Sequence, residues 1–255
     1  MLTLAVLLTA SCTSTKKLAY LNNLTDTSGE QNFAVEAPLY KLQKGDILYI
    51  TIKAMTPEGF IADYLSNTRS NIMASGSGES GQTLIGYDIN PEGDIILPVI
   101  GSVRVSGFTL EESRRFLQNK ADSLFNKSTV ECKLLSFKYT VIGEVKAPGT
   151  FLNNNNYLTV LEAIGKAGGV GDYGNRDKVL VIRPTDTGHK TYRLNLHDKN
   201  ILVSDAYYLM PNDIVIVEPQ GNKIFNMNLP TISFIFSTVT STITMTLLLI
   251  NYFGK

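Results

Sequence analysis

The chain has no tryptophan, two cysteines and two histidines, and only 18% of its residues are charged. His189 and His197 stand eight positions apart with no cysteine beside them. A metal site needs three or four converging ligands, so these histidines read as surface residues around a hairpin. Basic and acidic residues balance at 23 each, and no run of Lys or Arg exceeds two, as at Lys16-Lys17. Nucleic-acid binders carry a basic excess or stripe, so nucleic acid is excluded as a partner. Catalytic groupings are absent too. Asp46, Asp88, Glu92, Asp94, Asp172 and Asp213 fall where acids favour turns and strand starts, and none stands in a Ser/His/Asp or nucleophile-elbow setting. A glycan-cutting carboxylate pair is not indicated. One Gly-x-Gly-x-x-Gly spacing occurs, at Gly169, Gly171 and Gly174, but after a helix pattern and before a strand pattern. Phosphate binding needs the reverse order, so this is a helix stop and a turn. The chain is expected to be no enzyme and to hold no cofactor or metal.

What is present begins with MLTLAVLLTAS, an apolar run ending in small residues before Cys12. Residues 1–11 are too short to span a membrane and read as a secretory signal. Small residues directly before a cysteine resemble a bacterial lipobox, which makes Cys12 the lipidation site. The absence of Lys or Arg before the run and Thr9 within it depart from that pattern. Residues 12–39 are polar and aperiodic and read as a tether. From Tyr40 the pattern is structured. In DILYITIK, Leu48, Ile50 and Ile52 alternate as one face of a strand. Residues 54–82, with GSGESG at 76–81, predict a long loop insertion. LIGYDIN, PEGD and IILPVIG then read as a hairpin around the turn at 91–94. Thr109 with Glu112, and Thr159 with Glu162, have the spacing of capping boxes that open helices. Gly168 is placed to end the second helix. Strands are predicted at TVECKLLSF, YTVIGEV, KVLVIRP, KTYRLNL and DIVIVEP, with Phe137 closing the first domain. Cys132 reads as a small residue within one of them. The fold class is α+β: two small domains, 40–137 and 138–219, followed by a membrane-spanning helix within 220–255.

YKLQKGDILYITI (residues 40–52) and GYDINPEGDIILPVIGSVRVSGFTLEES (86–113) resemble the polysaccharide biosynthesis/export domain of Wza-type outer-membrane lipoproteins. VIGEVKAPGTF (141–151), LTVLEAIGKAGGV (158–170), VLVIRP (179–184) and YLMPNDIVIVEP (208–219) are similar to an SLBB domain, a β-grasp module. The positions that carry the resemblance are structural: Gly45, Asp46, Gly93, Pro98 and Gly101 in the first domain, Gly143, Pro148, Gly149, Gly168 and Gly169 in the second. No catalytic residue is carried over. The resemblance implies a homo-oligomeric ring with its body in the periplasm, anchored in outer-membrane lipid. A capsular or extracellular polysaccharide chain would pass through it from an inner-membrane polysaccharide co-polymerase. Only one clear SLBB unit is present, which departs from the better-known members. A rival reading from the binding class is a lipid-anchored β-grasp protein that takes up a soluble sugar or cofactor.

No charged residue occurs between Pro230 and Gly254. As a helix, residues 232–253 would reach ~33 Å, enough to cross a bilayer. At helical spacing Ile232, Ile235, Phe236, Val239, Ile243, Leu247, Ile250 and Phe253 form an apolar stripe. Ser233, Ser237, Thr240, Ser241, Thr244 and Asn251 form a polar side expected to face a pore or neighbouring helices. The alternating threonines of TVTSTITMT also suit a membrane strand, but Leu247-Leu248-Leu249 breaks that alternation. Pro230 fits the first turn of a helix.

Overall fold

The computed structural model describes residues 19–24, 29–65, 86–185 and 187–253. Cys12, residues 1–11 read as a secretory signal, and most of the expected loop insertion lie outside the described residues.

The first domain is built on β1 (Ile47–Met55), whose Leu48, Ile50, Ile52 and Ala54 are all buried. One edge of β1 pairs with β2 (Ile61–Asp63) and β3 (Tyr87–Asp88), the other with β6 (Asn126–Leu134), all antiparallel. β4 (Asp94–Leu97) and β5 (Gly101–Arg104) form a separate two-stranded ribbon. The expected hairpin around residues 91–94 is therefore corrected. The turn exists, with the Gly93 amide donating to the Asn90 carbonyl at 2.9 Å. Its two flanks part company, however: two-residue β3 completes the edge of β1, and β4 folds back on β5 through Pro98. Helix α1 (Leu110–Leu124) crosses the sheet and buries Leu117 and Ala121. Fully burying an aliphatic side chain of this size contributes about 1.5–3 kcal/mol.

The second domain is a five-stranded sheet of β7 (Lys138–Gly143), β8 (Gly149–Leu152), β9 (Gly174–Thr185), β10 (Gly188–Leu194) and β11 (Ile214–Pro219), in the order β10-β9-β11-β7-β8. β7 and β11 are parallel and the other pairs antiparallel. Helix α2 (Val160–Lys166) covers the sheet with Val160, Ala163 and Ile164. Both capping boxes form as expected. In each, the threonine hydroxyl accepts the amide three residues on at 3.2 Å, and the glutamate accepts the threonine amide at 2.7 Å. α2 ends as Gly168 predicts: the Gly168 amide bonds to Gly165 and the Gly169 amide to Ile164, with φ of 78° and 85°. That is a Schellman stop, which needs left-handed backbone after the last turn.

Two boundaries shift. Phe137 packs in the core of the second domain beside Tyr139 and Leu158, and Leu134 touches both cores. Within the stretch read as a tether, residues 19–24 dock on the second domain. Leu21 joins its core, its amide donates to the Leu196 carbonyl at 2.9 Å, and Asn23 bonds Asp198 and the Lys199 amide. A segment this short, six described residues, carries too little pattern to announce its partner, so the sequence conceals this docking.

Helix α3 (Asn222–Phe253) has 32 residues and starts eight residues before Pro230. Pro230 is thus inside the helix rather than in its first turn. Its missing N–H leaves one carbonyl of the preceding turn without its helical bond.

Candidate functional site: the paired turns, the interdomain cleft and the terminal helix

Gly45-Asp46 and Asn212-Asp213 are the same device used twice. Each closes a four-residue turn whose third residue has positive φ, 86° at Gly45 and 67° at Asn212. The aspartate amide donates back to Gln43 in one and Met210 in the other, at 3.2 and 3.1 Å. Each aspartate carboxylate also accepts the amide three residues before it at 2.8 Å. Glycine or asparagine at the positive-φ position is what such a turn demands. The sequence marked Gly45 and Asp46; Asn212 was missed, although Pro211-Asn212-Asp213 carries the same chemistry in different letters.

The two carboxylates are held differently. Asp46, buried, accepts the Tyr40 hydroxyl at 2.8 Å and the Ser136 hydroxyl at 2.9 Å. It so ties the segment leading into β1 to the linker between domains. Burial, then the neighbouring Asp46, pushes the Tyr40 phenol well above its ordinary value, which keeps it a donor. Asp213 is fully buried and faces Arg183, with Nη2 to Oδ2 at 2.8 Å. Arg183 also donates to the Tyr208 carbonyl at 2.8 Å. Burial raises the Asp213 carboxyl above its usual range, against the opposing pull of Arg183 and the Met210 amide.

Beside the Met210–Asp213 turn lies a cleft of about 130 Å³ that both domains line. Leu39, Phe137, Tyr157, Tyr208 and Met210 are the apolar part of its lining, and Asn154, Asn155 and Asn156 line it as well. Tyr157 meets Tyr208 edge-on with centroids 6.1 Å apart.

The remaining candidate residues shape backbone. Gly143 (φ 90°) leaves room for the Val217 carbonyl, which a Cβ would approach to 2.2 Å. At Gly93 a Cβ would come within 2.9 Å of the Ser106 Cβ. Pro98 and Gly101 bound the β4–β5 turn, and Pro148-Gly149 leads into β8. Gly171 donates to Glu144 at 2.8 Å, and a Cβ on Gly174 would meet the Val170 side chain at 2.3 Å. The glycine-rich stretch is a turn packed against the sheet. His197 bonds the Ala19 carbonyl through Nδ1 at 2.6 Å, and His189 lies exposed in β10. Among the described residues no cluster of His, Cys, Asp and Glu could hold a metal ion. Cys132 lies buried in β6, a small residue within a strand as expected, and desolvation pushes its thiol up to about 12.

α3 springs from the second domain at a braced base. Lys223 pairs with Glu144, and Gln220 bonds Tyr173 through its amide at 2.7 Å and Gly174 through its side chain at 2.9 Å. Its segment Asn228–Phe253, 26 residues, is long and apolar enough to cross a membrane, and none of it packs inside the protein. The hydroxyls of Ser233, Ser237, Thr240 and Thr244 donate to carbonyls one turn back at 2.8–3.0 Å. Thr238, Thr242 and Thr246 do the same at 2.7–2.9 Å. These last three form a second hydroxyl row at i, i+4 spacing that the single polar side of the sequence reading left out. Two residues at ~100° each set it on another side of the helix. Ser/Thr rows bonded to their own backbone carry little desolvation cost, so water is not required on either row. Ser241 and Asn251 make no such bond among the described residues.

Comparison with known proteins agrees with this architecture. Residues 34–135 match the family described as polysaccharide biosynthesis/export protein, and residues 137–217 match the SLBB domain. The EPS I polysaccharide export outer membrane protein EpsA of Ralstonia solanacearum is 27% identical over 197 residues, covering 74% of this chain and 51% of that protein. The protein of the same description from Ralstonia nicotianae is 27% identical over 203 residues, with 74% and 50% covered. The chain spans about half the length of these curated relatives. The two matches fall in the expected order, a polysaccharide biosynthesis/export domain followed by an SLBB domain, and the break between them falls at the linker Ser136.

Proposed function

We propose that this protein is a subunit of an oligomeric outer-membrane channel through which a capsular or extracellular polysaccharide leaves the cell, acting as a conduit without catalysis. The observation that carries this reading is α3: a charge-free span of 26 residues, braced at its base to a folded domain and bare along its length. At ~1.5 Å per residue it reaches ~39 Å, more than the ~30 Å hydrocarbon core. The relatives' description as outer-membrane export proteins supports the location. In this reading the export and SLBB domains form the periplasmic body, Cys12 carries a lipid, and α3 is one stave of a helical wall. Of its candidate lumen residues, Ser241 and Asn251 have free polar groups to offer water or glycan. The other four hydroxyls are already bonded and suit contact between staves. An inner-membrane polysaccharide co-polymerase would feed the chain from below.

The rival receptor reading would place its ligand in the interdomain cleft. At about 130 Å³ that cleft is smaller than the ~300–1,000 Å³ of small-molecule sites. The experiment is membrane partition of the full chain against a chain truncated after Pro219. The truncated protein should stay folded and lose insertion; insertion and polysaccharide passage without α3 would refute the helical wall.

A further inference from the structure

Val99 is an unexpected residue for its position. It sits at the tip of the β4–β5 hairpin with φ of 68°, a left-handed backbone that a β-branched side chain adopts only under strain. The Ile100 amide donates to the Pro98 carbonyl at 2.8 Å, closing a three-residue turn of the rare, positive-φ kind. Among the described residues nothing covers this tip: Val99 is 71% exposed and Ile96 is 68% exposed. Glycine would take the same backbone without strain. Within one copy, a strained aliphatic side chain in water lowers stability and gains no contact. Strain held at an exposed position points to a role outside the subunit.

A complement to this knob exists on the same chain. The interdomain cleft offers about 130 Å³ lined by Leu39, Tyr157, Tyr208 and Met210 together with Glu111 and Lys133. An apolar cavity of ~150 Å³ holds a benzene-sized group, so this one accepts a branched aliphatic side chain. Aromatic and methionine side chains beside a few polar ones are the composition of a protein contact. A conduit also gains nothing from a pocket that retains the glycan passing by.

We infer that the Val99 tip of one copy seats in the interdomain cleft of the next. Knob and cleft lie on different elements, so the contact is head-to-tail, the kind that closes into a ring when the rotation between copies allows. This names a contact for the oligomer proposed above and rests on that reading.

The test uses the full chain in detergent. Val99→Gly removes the knob while matching its backbone. The expected result is a melting temperature equal to or above wild type, with at least a tenfold rise in the concentration at which the assembly half-dissociates. Second, Val99→Cys and Tyr157→Cys, each in a Cys132→Ala background, are mixed and treated with a short bismaleimide. Mixed single variants should give a cross-linked dimer, and the double variant a ladder. An assembled protein that gives neither product, and whose Val99→Gly form assembles like wild type, overturns the contact. A wild-type chain that is monomeric throughout would instead remove the oligomeric reading, and this contact with it.

Discussion

Replacing Gly143 by alanine tests how closely β7 and β11 are built together. A Cβ at Gly143 would lie 2.2 Å from the Val217 carbonyl oxygen, on the strand paired in parallel with β7. The closest ordinary C···O contact is about 3.3 Å, so the strands would have to part by about 1 Å. Gly101 is the matched control: its φ is 86° against 90°, and nothing lies within 4 Å of its Cβ position. Both variants bear the left-handed cost of an L residue, roughly 1–2 kcal/mol. Only Gly143→Ala adds overlap with a backbone atom that cannot rotate aside. The displaced pair carries Val141, Val215 and Val217, all fully buried. Opening it uncovers core, so the total should exceed about 4 kcal/mol, in the range that marks a disrupted interior. With no tryptophan in the chain, urea unfolding is followed by tyrosine fluorescence and circular dichroism. Gly143→Ala should abolish or severely weaken the second domain's transition, and Gly101→Ala should shift the first domain's modestly. Equal, small shifts in both would refute the close-approach argument.

Arg183→Met should destabilise the second domain by roughly 3–5 kcal/mol, because it strands the fully buried Asp213 carboxylate without its partner. Asp213 is already raised in the folded state, so its contribution is full below its unfolded pKa and fades as pH rises through the folded one. Losing Arg183 moves the folded value further up. The variant's deficit, read from urea midpoints, should therefore be larger at neutral than at mildly acid pH. Thr109→Ala and Thr159→Ala should each remove about 1 kcal/mol, from the first and second domain respectively, read as two separable unfolding transitions. Thr240→Val with Thr244→Val removes hydroxyls that donate to carbonyls of their own helix and leaves the span free of charge, so membrane insertion measured by alkaline extraction should be unchanged.

Much of this architecture is legible in sequence because it rests on local rules. The alternation in β1, the two Thr-x-x-Glu boxes and the glycine stop after α2 each act within a few residues, and each formed as the pattern requires. What was hidden depends on choices between distant partners. β3 and β4 flank a good turn, but nothing local says that β3 will pair with β1 instead. Leu21 finds the second domain's core from more than a hundred residues away. Pro230 looked like a helix start because proline suits the first turn, yet Lys223 pairs with Glu144 and the helix begins eight residues earlier. In α3 the threonine alternation was resolved by backbone geometry: hydroxyls that reach their own carbonyls make a polar period of two compatible with a helix. The cleft and the strained Val99 tip have no signature in composition, since one needs two domains to form and the other a single φ angle.

The most direct test of the account is the assembly state of the full chain. Extracted from membranes in mild detergent, it should be seen by single-particle imaging as a closed ring of identical subunits around a central opening, with α3 forming the wall at one end. A monomer, or a compact assembly with no opening, would contradict the channel reading.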